Sequence, residues 1–204
     1  MGWSASSGPG LADPSAVSAG SAPALWEARH WGLIPALAVL PFFAASGLSG
    51  AQAWVPWLAA LMASYDLAER RIPNPLNALA ALLGLGWALA GGGLGGLGQA
   101  LLGGLTGFGL LAVFFFLGAV GAGDVKALGA LCTFLAPWGA VQLFFYTVLV
   151  GGLLALGRLL LARRHLASGT DLAAWRLLAQ GLEMPYGLAI AGGALVLLLT
   201  GGLS

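Results

Sequence analysis

The stretch Ile72-Pro73-Asn74-Pro75-Leu76 opens a run of 52 residues (72–123) with no Asp, Glu, Lys or Arg, and Asp124 closes it after Gly121-Ala122-Gly123. Near its middle lies Ala90-Gly91-Gly92-Gly93-Leu94-Gly95-Gly96, a cluster of helix breakers. A helix that crosses a bilayer needs roughly 17–25 apolar residues. The run therefore predicts two spans joined by a glycine turn. The same test applied outward finds uncharged runs at 30–65, 127–157 and 184–204. The spans predicted are 31–50, 51–65, 75–90, 97–120, 125–138, 139–162 and 185–203. The fold class that follows is all-α, a polytopic transmembrane helix bundle of about seven spans. The fifth span is short for a crossing, which points to partial unwinding or a thin local bilayer.

Composition agrees. The chain has 204 residues, of which 59% are hydrophobic and only 7% charged, with 34 glycines. Soluble domains carry about 25% charged residues, and small residues are the contact residues of membrane helices. A net charge of +1 predicts no nucleic-acid partner. The single cysteine, Cys132, excludes an intrachain disulfide and a Cys-x-x-Cys metal site, so no metal and no cofactor are expected. Residues 1–24, rich in Ser, Gly, Ala and Pro, read as a disordered tail without a signal-peptide pattern. Residues 25–204 read as one membrane domain. A weakly amphipathic segment at 171–183 reads as an interfacial helix.

Orientation follows from parity. With the N-terminus in the cytoplasm, Arg29, Arg70, Arg71, Lys126, Arg158, Arg163, Arg164 and Arg176 all fall on one face, and the opposite loops carry no charge. That is the positive-inside distribution. It also sets Asp66 and Asp124 at similar depth near the cytoplasmic face. Carboxylates there are costly unless used or paired.

Two carboxylates that share a water can hydrolyse a peptide. The ionised one takes a proton from the water, and the protonated one donates to the carbonyl or the leaving amine. At about 5 Å and an effective dielectric near 20, two ionised carboxylates repel by roughly 3 kcal/mol, about two pKa units. Such a pair therefore holds one proton. Helix dipoles suggest that Asp124, which begins a span, is the ionised base, and that Asp66, which ends one, keeps the proton. Gly121 and Gly123 free the space beside Asp124 and permit positive φ. The blander readings are a helix cap for Asp124, a pair with Arg70 at i+4 for Asp66, and topology charges for Arg70, Arg71 and Lys126.

Three motifs carry a family resemblance. Asp66-Leu67-Ala68-Glu69-Arg70-Arg71-Ile72-Pro73-Asn74 resembles the first aspartate motif of prepilin peptidases. Gly121-Ala122-Gly123-Asp124-Val125-Lys126 resembles their Gly-x-Gly-Asp-x-Lys box, and Met184-Pro185-Tyr186-Gly187-Leu188-Ala189-Ile190-Ala191 the stretch that opens their last span. The small peptidases of tight-adherence (Flp-type) pilus systems are the most similar branch. The resemblance implies an aspartic endopeptidase of the bacterial inner membrane that cuts the leader from type IV prepilins on the cytoplasmic side. It implies Asp66 and Asp124 as the catalytic pair, with Gly121, Gly123 and Lys126 shaping the turn and Pro185, Tyr186 and Gly187 near the site. Larger members carry a cytoplasmic domain with paired cysteines and also N-methylate the product. That domain is missing here, which leaves methylation without its machinery.

Two other classes share part of this pattern. A presenilin or signal-peptide-peptidase type enzyme fits Tyr65-Asp66 but needs Pro-Ala-Leu after the second aspartate, and the only one, Pro35-Ala36-Leu37, precedes the first. A proton- or ion-coupled transporter needs a polar path, and between 127 and 156 only Thr133, Gln142 and Thr147 contribute beyond Trp, Tyr and Cys.

Overall fold

A computed structural model describes residues 51–166 and 186–202. The expected tail at 1–24, the span at 31–50, the interfacial helix at 171–183 and Pro185 lie outside the described residues. Among the described residues every regular element is a helix: α1 (Ala51–Glu69), α2 (Asn74–Phe116), α3 (Ala122–Cys132), α4 (Pro137–Leu166) and α5 (Tyr186–Leu199).

In α1 the buried residues Val55, Leu58, Ala59, Met62, Ala63 and Asp66 recur every three or four positions. That is one face of an α-helix, so the packing stripe itself turns Asp66 inward. The helix ends where Arg70 adopts a left-handed φ of 54° and its N–H bonds the Asp66 carbonyl at 2.9 Å. A left-handed residue after the last turn is a common helix stop. Ile72 is buried in the core, and Pro73 leads into α2 with extended backbone.

α2 has 43 residues, about 64 Å if straight, roughly twice the hydrocarbon thickness. It is not straight. Gly93 has φ 58° and ψ −147°, a combination essentially restricted to glycine. Gly84, before the break, and Gly104, after it, both face the Thr133 side chain. Twenty residues of unbroken helix would separate them by about 30 Å. The helix therefore folds back at Gly93 into two arms, and Gly96 closes against the Ala88 carbonyl. The expected glycine turn is present, compressed to one residue.

α3 runs between these arms. Gly84 on the first arm and Gly103, Gly104 and Gly107 on the second leave no room for a Cβ against residues 129–135. Val125 and every residue from Ala127 to Cys132 are buried. Eleven residues reach only about 16 Å. A helix end at that depth is tolerated because protein, not lipid, surrounds it. Thr133 Oγ1 donates to the Ala130 carbonyl at 2.7 Å, and Leu135 N–H to the Cys132 carbonyl at 3.0 Å. The fifth expected span is thus a short, enclosed helix, and Trp138 belongs to the next one.

α4 packs on α5 and on α2, and α5 packs on α1. Gly193 backs onto Thr147, and Gly151 onto Ala189 and the Tyr186 ring. α2 and α4 are each long and apolar enough to cross a membrane, and little of either is buried in the protein. Their outer faces expose Leu82, Leu105, Phe116, Phe145 and Leu153, far more apolar surface than an aqueous monomer presents.

Candidate active site

The turns that join α1 to α2 and α2 to α3 meet at one end of the bundle around an open cleft of about 810 Å³. Asp66, Gly121, Gly123, Asp124 and Lys126 all line it, so two carboxyls 58 positions apart in the chain share one cleft. Its charged lining is balanced, with Asp66, Glu69 and Asp124 against Arg70, Arg71 and Lys126. Among the described residues no cluster of His, Cys, Asp and Glu could hold a metal ion.

Asp66 is 7% exposed and its Oδ2 accepts the Gly187 N–H at 2.7 Å. Gly187 lies in the first turn of α5, whose unpaired N–H groups and positive dipole end suit an anion. A Cβ at Gly187 would meet Asp66 Cβ at 2.9 Å and Ala63 Cα at 3.1 Å. Glycine is thus the residue that lets α5 approach Asp66. Tyr186, beside it, is half-buried and within reach of the Asp124 charge.

Asp124 occupies the third position of α3, and its Oδ2 accepts the N–H of the N-cap Gly121 at 3.1 Å. This is half a capping box, since glycine has no side chain to reciprocate. The freedom for positive φ is not used: Gly121 is extended at φ −81°, and neither it nor Gly123 is among the positive-φ residues. Gly121 instead leaves space, for a Cβ there would sit 3.1 Å from Asp124 Oδ2.

The two carboxyls lie at the cleft end, outside the predicted spans 51–65 and 125–138. Burial raises Asp66 above the usual carboxylate range, opposed by the Gly187 N–H and then by the Arg70 guanidinium. Burial, then the charge of Asp66, raises Asp124 to about 6, with the Gly121 N–H opposing. Asp66 ends α1, where the dipole of its own helix disfavours its charge, but it also accepts an N–H from the first turn of α5, and only the fold brings that second helix to it.

Two further side chains bind the motifs together. Lys126 Nζ donates to Asn74 Oδ1 at 3.2 Å, and Asn77 Nδ2 to the Gly123 carbonyl at 3.4 Å. Asn77 was not singled out from sequence. The available signal was a carboxamide in an otherwise apolar helical run, a polar group at membrane depth.

The geometry so far defines an all-helical protein with a wide apolar exterior and two interacting carboxyls in an end cleft. Residues 53–156 match the model of the type IV leader peptidase family. That is half the chain, it includes both aspartates, and the chain belongs to this family. It is accordingly a peptidase and a membrane protein. The matched region ends before α5, so Gly187 lies outside it. No curated protein and no solved structure matches the chain.

Proposed function

We propose that this protein is an aspartic endopeptidase that removes the leader of type IV, Flp-like prepilins at the cytoplasmic face of a bacterial inner membrane, with Asp66 and Asp124 as its catalytic pair. The observation that carries the reading is the meeting of two coupled carboxyls in one open cleft of a leader-peptidase family member. In this reading seven crossings put all basic residues on the cytoplasmic side, and α3, about 16 Å long, completes its crossing where the bilayer is locally thin.

In the reaction, ionised Asp66, steadied by the Gly187 N–H and Arg70, takes a proton from a water lying between the carboxyls. The water oxygen attacks the scissile carbonyl carbon. Protonated Asp124 shares its proton with the carbonyl oxygen as charge develops there. Collapse of the tetrahedral intermediate breaks the C–N bond, and a proton from the pair passes to the leaving amine. The balanced cleft argues against selection of substrate by net charge. The scissile bond is admitted because the cleft opens at the membrane surface, where a leader ends and a hydrophobic segment begins.

The test is cleavage of a co-expressed prepilin by Asp66→Asn and Asp124→Asn variants. Each variant should insert in the membrane and leave the precursor uncut. Processing by either would remove the two-aspartate mechanism.

A further inference from the structure

We propose that Asn77 is a positioning residue for the reaction, fixing, together with Asn74, the turn of α3 that carries Asp124. This rests on the two-aspartate reading above. Asn74 and Asn77 are three residues apart on α2 and so share a face. Asn74 holds the Lys126 side chain, two residues after Asp124. Asn77 holds the Gly123 carbonyl, one residue before it. Asp124 is thus bracketed from both sides by the first turns of a single helix. That helix follows α1, the carrier of Asp66, after only residues 70–73.

Burial makes the assignment sharper. Asn77 is 5% exposed, and its Oδ1 has no hydrogen-bond partner. A buried carboxamide with one end unsatisfied is costly, and an apolar residue of similar size would pack there at lower cost. What the carboxamide supplies that a leucine cannot is its single contact, the bond to Gly123. Misplacing a catalytic group by about 1 Å can cost on the order of 100-fold in rate. A contact that sets the azimuth of α3 is therefore worth its burial even if it adds nothing to stability.

The experiment compares full-length wild type, Asn77→Leu and Asn77→Asp in detergent. The substrate is a synthetic peptide spanning a type IV prepilin leader and the start of its hydrophobic segment. The readouts are kcat, KM, melting temperature and the carboxyl titration of ¹³C-labelled Asp124. Asn77→Leu should lower kcat by roughly 10- to 100-fold, with KM within about two-fold and no loss of melting temperature. Asn77→Asp should recover part of kcat at acidic pH, where a protonated carboxyl can donate to the Gly123 carbonyl. A kcat within about two-fold of wild type in a folded Asn77→Leu protein overturns the proposal. So does a loss of kcat that only tracks a lower melting temperature, with no acid recovery in Asn77→Asp. If wild type itself fails to cut, the peptidase reading falls. The positioning role is then decided by the titration, where a displaced Asp124 midpoint in Asn77→Leu supports it and an unmoved one overturns it.

Discussion

Asp66 Oδ2 and the Gly187 N–H are 2.7 Å apart across 121 residues of chain, so the first and last described helices meet at a candidate catalytic carboxyl. The contact depends on Gly187 having no side chain, because a Cβ there would press on Asp66 and on the backbone of Ala63.

Gly187→Ala should therefore act on the site. Overpacking of this kind costs about 1–3 kcal/mol, and relief by outward movement of α5 would lengthen the bond to Asp66. Prepilin cleavage should fall by roughly 10-fold or more. Gly152→Ala, on α4 with open space around it, is the control and should leave cleavage unchanged. Initial rates of peptide cleavage at matched folded concentration decide the matter. Equal rates for the two variants would refute the packing argument.

The shared cleft of the two carboxyls predicts a pH profile. Catalysis needs one proton on the pair. At low pH both groups are protonated and no base remains. Above about 6, the value to which Asp124 is raised, the pair has lost its last proton and none is left to donate. The profile of kcat/KM, which reports the free enzyme, should be bell-shaped with its alkaline limb near pH 6. The limb in kcat should lie higher, since bound peptide excludes water from the cleft and further disfavours two charges. A kcat/KM that is flat from pH 5 to pH 8 would contradict the assignment.

Much of this was legible in the residues. Charge-free runs gave the helical class, and the glycine cluster at 91–96 gave the reversal within α2, because both follow from one-dimensional composition. The two aspartates were legible because charge is scarce in such a chain. The enclosure of α3 was not, since eleven residues between two arms, seven of them buried, look in sequence like any apolar run. Nor was the second helix at Asp66. A dipole argument from sequence sees only the helix each aspartate belongs to, while Asp66 also faces the N-terminus of a helix more than a hundred residues away. Asn77 was missed for a similar reason. Its partner, the Gly123 carbonyl, is a backbone atom and leaves no mark on the sequence.

The reversal at Gly93 yields a prediction about stability. Its backbone, at φ 58° and ψ −147°, is strained for any residue with a Cβ, although nothing crowds the position. Gly93→Ala should destabilise by about 1–3 kcal/mol. Gly92→Ala has the same open surroundings without the unusual φ, and should be neutral or stabilising by up to about 1 kcal/mol as a better helix former. Thermal unfolding in detergent separates them. Matching melting temperatures would mean that the break is not held at Gly93.

Asp124→Asn should abolish cleavage and yet stabilise the fold above pH 6. The ordinary carboxyl value is 3.8, and the folded value is raised to about 6. Between these values the native state binds more protons than the unfolded chain, so stability falls as pH rises through that window. Below about 3.8 both states are protonated and the cost is absent. Above about 6 it is complete, at most ~3 kcal/mol for a shift of about two units. Asparagine carries no charge and keeps an oxygen that can accept the Gly121 N–H. At pH 7.5 the variant should therefore melt higher than wild type. At pH 4 the two should nearly coincide, and a gap that persists there would point to packing rather than charge.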